Sequence, residues 1–214
     1  MTQVTSAVVG RALKARFVSL GFRSKCSGFV FMKNMESDSS ACLGLGRHKY
    51  RDGPIVVIPV VGVRFESIYS LGRRFGCYPE SDTNATLSVS MEDLMPEARR
   101  HDYEFLDSPD LESEIDRLAA DFDEFGIPFI RSIATVDTAA ARVRAGIAPL
   151  LRGRHEFLPL SRQLAGDLPG ALDVARANLA KMDSSRGNGR DYADYVAKLA
   201  ALGSVVADPV NRTD

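Results

Sequence analysis

The residues best placed to do chemistry are three pairs of polar side chains. Arg47 and His48 follow Gly44-Leu45-Gly46, Arg64 and Glu66 close the apolar run that starts at Ile55, and Arg73 and Arg74 come seven and eight residues beyond Glu66. Converging arginines can hold a carboxylate or phosphate through bidentate hydrogen bonds, so the six form a candidate ligand or anion site. Arg64 and Glu66 share one side of a strand if it continues regularly to that point. His48, Arg64 and Glu66 together would be the centre of an enzymatic reading, with no catalytic role assigned to any of them. The ordinary alternative is that these arginines pair with acids of the same chain.

Other chemistries fail on spacing. Gly44-Leu45-Gly46-Arg47-His48-Lys49 starts like a dinucleotide loop, but Lys49 stands where the third glycine belongs. Glycine within a strand more often permits close approach or a bulge. His48, His101 and His155 are isolated, and His155-Glu156 lacks the second histidine of a zinc-protease helix. Asp52 ahead of a strand ending near Glu66 fits the start of a restriction-type nuclease site, yet position 68 is Ile68 and no Glu-x-Lys occurs in the chain. There is no Gly-x-Ser-x-Gly elbow, and neither Ser70 nor Ser161 has a context that would activate it. Cys26, Cys42 and Cys77 are odd in number and form no Cys-x-x-Cys. No metal, cofactor or structural disulfide is expected, and a reducing cytoplasm is the simplest location.

Composition is that of a globular protein: 214 residues, 45% hydrophobic and 26% charged, enough for one large domain or two small ones. No apolar run approaches the length of a membrane span, and no secretory leader is apparent. The net charge of −1 conceals an asymmetry. Residues 1–100 carry 14 Lys and Arg against 9 Asp and Glu, whereas residues 102–124 carry ten acids and one base, Arg117. Such a block marks either a docking surface or an acidic helix lying over the chain's own basic sheet. A nucleic-acid partner is disfavoured because such proteins are normally more basic.

The elements that must position these residues follow from periodicity. Val9, Leu13, Phe17 and Leu20 predict a helix over 4–20 that Gly21 ends. Short apolar runs at 28–32, 41–45 and 55–58 with polar connections predict an antiparallel meander. Ile68, Leu71 and Phe75 suggest a short helix, and 85–90 alternates as a strand with one wet face. From Ser108 and Pro109, which suit a helix start, Leu111, Ile115, Leu118, Phe122 and Phe125 form a stripe that Gly126 and Pro128 should end. Helices are expected over 136–145, 167–182 and 189–202, the last two as an antiparallel hairpin.

The fold class is therefore α+β: an N-terminal helix and an antiparallel sheet of about four to five strands, packed with a mostly helical C-terminal half. Residues 1–107 form the helix-and-sheet part, 108–203 a helical region continuous with it, and 204–214 a frayed tail. Leu13, Phe17, Phe31, Val57, Leu118 and Phe122 should share one core, since the stripes and the sheet have no other way to hide their apolar faces. On the acidic helix, Glu112, Glu114, Asp116, Asp121 and Asp123 are left to the outer faces, with Glu112 and Asp116 as the candidate partner surface.

Leu20-Gly21-Phe22-Arg23 followed by Gly28-Phe29-Val30-Phe31, together with Ile58-Pro59-Val60-Val61-Gly62-Val63-Arg64, Leu94-Met95-Pro96 and Gly126-Ile127-Pro128-Phe129, resembles bacterial domain-of-unknown-function families in which a helix introduces a curved antiparallel sheet. The resemblance spans roughly residues 10–200 and carries no catalytic residues over. Some related bacterial families lie beside toxin genes and are regarded as immunity proteins. The expected function is a non-enzymatic protein-binding module of the immunity or antitoxin kind, with a protein partner and no membrane; the alternative is the enzymatic site at His48, Arg64 and Glu66.

Overall fold

The computed structural model describes residues 5–25, 28–49, 53–78, 80, 83–105, 110–146, 150–152, 155–182 and 187–206. The fold is α+β, and the chain divides into two compact units. The first comprises Met1–Phe65 and Asp82–Arg152, the second Glu66–Ser81 and Gly153–Asp214. The boundary expected at residue 107 runs through the first of them. No helix among the described residues is long and apolar enough to cross a membrane.

In the first unit, α1 (Ser6–Ser19) starts where the Thr5 hydroxyl accepts the Val8 N–H. It ends in a Schellman arrangement: Gly21 N–H donates to Val18 O and Phe22 N–H to Phe17 O. Gly21 has φ 84°, a conformation that a side chain would strain. The turn also folds Phe22 back against Phe17, edge to face at 6.4 Å. Helix termination and core formation are thus one event.

The sheet has seven strands among the described residues: β1 (Arg23–Lys25), β2 (Val30–Asn34), β3 (Ser39–Lys49), β4 (Ile55–Phe65), β5 (Leu87–Ser90), β6 (Tyr103–Phe105) and β7 (Leu150–Arg152). Every pairing is antiparallel, in the order β1-β2-β3-β4-β5-β7, with β6 also on β4. One edge of β4 pairs wholly with β3; the other is shared, Ile55–Val57 with β6 and Val60–Val63 with β5. Pro59 sits where one partner gives way to the next. Its carbonyl accepts the Met91 N–H at 2.9 Å, so its ring nitrogen faces that same edge, where no ladder donor is required. This is how a proline is tolerated inside a long strand.

One sheet face presents Phe31, Leu43, Val57, Val61, Val63, Leu87 and Val89, all essentially inaccessible. Phe17 of α1 lies 5.0 Å from the Phe31 ring and 5.7 Å from Phe122. The six residues expected to share a core are all buried, none more than 1% exposed. The acidic helix α3 (Leu111–Asp121) buries Leu111, Ile115 and Leu118 against this layer. Its expected start at Ser108 and Pro109 lies outside the described residues.

Gly126 and Pro128 do not end the helical course, as had been expected from their types. A π turn over Phe122–Gly126 widens it, with Ile127 N–H donating to Phe122 O five residues back, and α4 (Ile127–Ser132) follows. Proline fits at the start of α4, where its missing N–H costs no helical bond. Gly126 serves packing: a Cβ there would lie 2.6 Å from the Phe122 ring. Next, α5 (Val136–Arg144) opens with a capping box between Thr135 and Thr138.

The second unit holds α2 (Glu66–Phe75), α6 (Phe157–Leu164), α7 (Leu168–Leu179) and α8 (Gly187–Val206). Tyr69 and Tyr78 stack at 5.0 Å, which the absence of a side chain at Gly72 permits. Phe75 meets Tyr195 edge to face, and Lys198 Nζ caps the Phe75 carbonyl at 3.2 Å. Asn178 and the Tyr192 hydroxyl both donate to the His155 carbonyl at 2.9 Å, tying α7 and α8 to the start of α6. Helix α8 continues to Val206, so part of the expected tail is helical; 207–214 lie outside the described residues.

Cutting Phe17 back to alanine removes the ring that α1, β2 and the π turn share. The loss expected is about 3–5 kcal/mol in urea unfolding, as for a fully buried aromatic. A second expectation comes from Cys77. Burial, then Glu156, pushes its thiol up to about 12, against an opposing pull from Lys198. The folded state therefore keeps a proton that the unfolded chain releases near the ordinary 9.0. Its contribution is complete below that value and lost as pH rises towards 12. Cys77→Ser should flatten the fall in unfolding midpoint that starts near pH 9, before the tyrosines titrate.

Candidate functional site

Of the six residues expected to gather, Arg47, His48 and Arg64 belong to the first unit, and strand register keeps Arg47 and His48 far from Arg64 there. Arg47 and His48 stand near the far end of β3, exposed, and the Arg47 guanidinium lies 4.4 Å from the Phe29 ring centre. His48 faces Val56 on β4, whereas Arg64 faces Ser40. Eight residues of strand separate those two positions on β4, roughly 26 Å at about 3.3 Å per residue. His48 and Arg64 therefore cannot act on one small substrate. The strand ends at Phe65 and Glu66 opens α2, so the alternation that would align Arg64 with Glu66 stops between them. Glu66, Arg73 and Arg74 belong to the second unit, where Arg73 pairs with Glu80 at 3.2 Å and Arg74 is exposed.

Arg64 has a different part. It is 5% exposed, and its Nη1 donates to the carbonyl of Asn84 at 3.3 Å. Two residues on, the fully buried Thr86 hydroxyl accepts the Phe65 N–H at 3.0 Å, and Thr86 N–H donates to Val63 O. These bonds fix residues 83–86 alongside the end of β4.

Between that segment and the sheet is a cleft of about 290 Å³. It lies on the sheet face opposite the core. The alternation places Val30, Cys42, Gly44, Val60, Gly62 and Ser88 on that face, in neighbouring cross-strand positions. Gly44 and Gly62 form the floor, Val30 and Val60 flank it, and Thr83, Asn84 and Ala85 make a wall. The floor is hollow at Gly44, where one cross-strand row lacks a side chain; at Gly62 the space is taken by the approach of β5.

The two glycines differ in what the fold asks of them. A Cβ on Gly62 would fall 2.1 Å from the Leu87 carbonyl and 2.9 Å from Ser88 Cβ, so β5 can approach only because it is absent. At Gly44 the nearest atom to an added Cβ is Val60 O at 3.8 Å, an ordinary contact. Packing does not require glycine there. Interior-strand glycine is nonetheless destabilising by roughly 0.5–1 kcal/mol relative to alanine.

Most of the described acids between residues 102 and 124 are exposed, and several of them pair with bases of the same chain. Asp116 is exposed but pairs with Arg16 at 3.1 Å, and Glu112 is exposed. Glu114 pairs with Arg117 and accepts the Glu104 N–H. Asp121, expected on an outer face, is 2% exposed. Leu118 fixes that result, since residue 121 lies one turn further along the same apolar stripe. Its carboxylate accepts from the Tyr103 hydroxyl at 2.9 Å and from Arg99 at 3.0 Å, with His101 Nε2 3.2 Å away. Burial and then Asp121 raise the Tyr103 hydroxyl far above the ordinary tyrosine range. Arg99 is held in its charged form first by its hydrogen bond to Asp121, and it also reaches Glu124 at 3.2 Å. This knot fastens β6 and the turn before it to α3. Among the described residues no three acids, histidines or cysteines are grouped to hold a metal ion.

The buried and exposed acids should separate on substitution. Asp121→Asn removes the charge and keeps a single acceptor oxygen, so either Arg99 or Tyr103 faces an amide NH2 instead, and a loss of about 2–3 kcal/mol is expected. Reversing Glu112 and Asp116 together to lysine should cost no more than about 1 kcal/mol. Urea denaturation of the two variants, followed by far-ultraviolet dichroism, distinguishes them.

Set against known protein families, curated proteins and solved structures, the chain finds no match, so its site is defined by its own residues alone.

Proposed function

We propose that this chain is a non-enzymatic binding protein whose recognition site is the glycine-floored cleft on the open face of the sheet. The observation that carries this reading is Gly44. The fold leaves room for a side chain there and does without one, which keeps a hollow open at a cost in strand stability. The wall is preorganised by Arg64 and Thr86, so the hollow exists before anything enters it. A pocket of this kind, apolar at the sides with a few placed hydroxyl and amide groups, is how small ligands are usually seated.

The enzymatic reading at His48, Arg64 and Glu66 loses its support through the strand register. The acidic-surface reading keeps Asp102, Glu104, Asp110, Glu112 and Asp123 as exposed carboxylates, but Asp116, Glu114, Asp121 and Glu124 have cationic neighbours within the chain. What remains of the immunity-like proposal is the class, a protein that binds without turning over.

The test is a fragment library screened by methyl resonance shifts at Val30, Val60 and Ala85. Binders should shift those methyls and raise Tm in proportion to occupancy. Gly44→Leu should stay folded and lose both effects, because its Cβ meets only ordinary contacts at the strand and the rest of the side chain extends into the cleft. Gly62→Ala should instead lose about 2 kcal/mol or more of stability, through the clash with Leu87 and Ser88. Fragments that bind Gly44→Leu as well as the parent would overturn the reading.

A further inference from the structure

We infer that the group the cleft accepts is an uncharged, single-ring-sized moiety with a hydrogen-bonding edge, and that Gly44 sets its size; this rests on the cleft being the recognition site. Three features of the lining lead there. The first is charge. Among the described residues no carboxylate, ammonium, guanidinium or imidazole group lines the cleft, and the polar side chains there are the Thr83 and Ser88 hydroxyls, the Asn84 amide and the Cys42 thiol. Arg64 supports the wall through the Asn84 carbonyl and is not itself part of the lining. A charged ligand would give up its hydration without meeting a counter-charge, which is costly, whereas amide and hydroxyl groups of the ligand can exchange water for these side chains.

The second feature is the floor. Strand β3 is paired on both sides, by β2 and β4, and β4 by β3 and β5 at this level. The peptide N–H and C=O groups of Gly44 and Gly62 are thereby directed into the ladder, and at Gly44 the floor offers the flat faces of peptide planes. A planar ring can lie against such a surface; a chain needing backbone hydrogen bonds cannot find them there. The third is direction. The hydroxyl and amide groups come from the β5 side, through Thr83, Asn84 and Ser88, whereas the other side offers Val30 and the weakly polar Cys42 thiol. The ring therefore enters with its polar edge towards residues 83–88 and an apolar edge towards β2. From β2 to β5 is three strand spacings, roughly 14 Å at about 4.8 Å each, and 290 Å³ holds one ring with a substituent more comfortably than a large ligand.

Benzamide, benzoate and benzylamine share one ring and differ in charge. Titrated separately into the full chain, with the Val30, Val60 and Ala85 methyls observed, benzamide should bind at least tenfold more tightly than either ion. Gly44→Ala should weaken benzamide several-fold and Gly44→Val should abolish its binding, with amide spectra confirming that both variants are folded. If benzoate or benzylamine binds as tightly as benzamide and is lost in Gly44→Val, the uncharged class is wrong while the cleft remains the site. If benzamide binds equally to the parent chain and to Gly44→Val, Gly44 does not set the size. If none of the three moves these methyls and no library fragment does so either, the cleft reading and the inference fall together.

Discussion

The register of β4 is the constraint on which the rest of the first unit depends. Its eleven residues pair with β3 along one edge and with β5 and β6 in succession along the other. A slip of one residue would turn Val57, Val61 and Val63 out of the core and carry Gly62 away from the β5 approach. It would also bring Pro59 to an edge position where a donor is needed. The proline, the glycine and the valines thus specify the same alignment from three independent requirements: a missing N–H, a missing Cβ and a buried apolar face. The cleft inherits its shape from that alignment, because its floor and its wall are both indexed to β4.

Much of this architecture could be read from residue order. The stripe Val9, Leu13, Phe17 and the runs at 28–32, 41–45 and 55–58 carry strong periodicity, and Gly21 is a helix stop with a mechanical reason. What escaped were elements too short to show a period: β1, β6 and β7 have three residues each and exist only because a longer strand offers them an edge. Gly126 and Pro128 misled because their usual role as breakers assumes an ordinary helix. A π turn changes the bonding by one residue and absorbs them.

The site was less legible than the fold, and for a physical reason. Sequence reasoning gathers residues by chemical type, and here that singled out the arginines and His48. The cleft is instead made by side chains that are small or missing, and such positions carry little signal until cross-strand partners are known. Reading Gly44 and Gly46 as packing glycines was sound in general, and Gly62 satisfies it. Only the pairing of Gly44 with Val30 and Val60 reveals that one glycine leaves space unused. Asp121 teaches the converse lesson: its place on the Leu118 stripe was available from spacing, and its polarity obscured it.

The path of the chain between β4 and β5 has a bearing on modularity. These strands are neighbours in the sheet, yet the chain leaves the first unit after Phe65, builds α2 in the second, and returns at residue 82. The second unit is therefore discontinuous, with one helix encoded far ahead of the three that complete it. Ending the polypeptide after β7 would strand α2, leaving Ile68, Tyr69 and Phe75 without the helices that bury them. No single cut yields two self-sufficient halves, and a gene fragment carrying the sheet alone would have to bridge Phe65 to the 83–86 segment with a new loop. The two units are accordingly interleaved in the gene, and a single break in the chain cannot separate them.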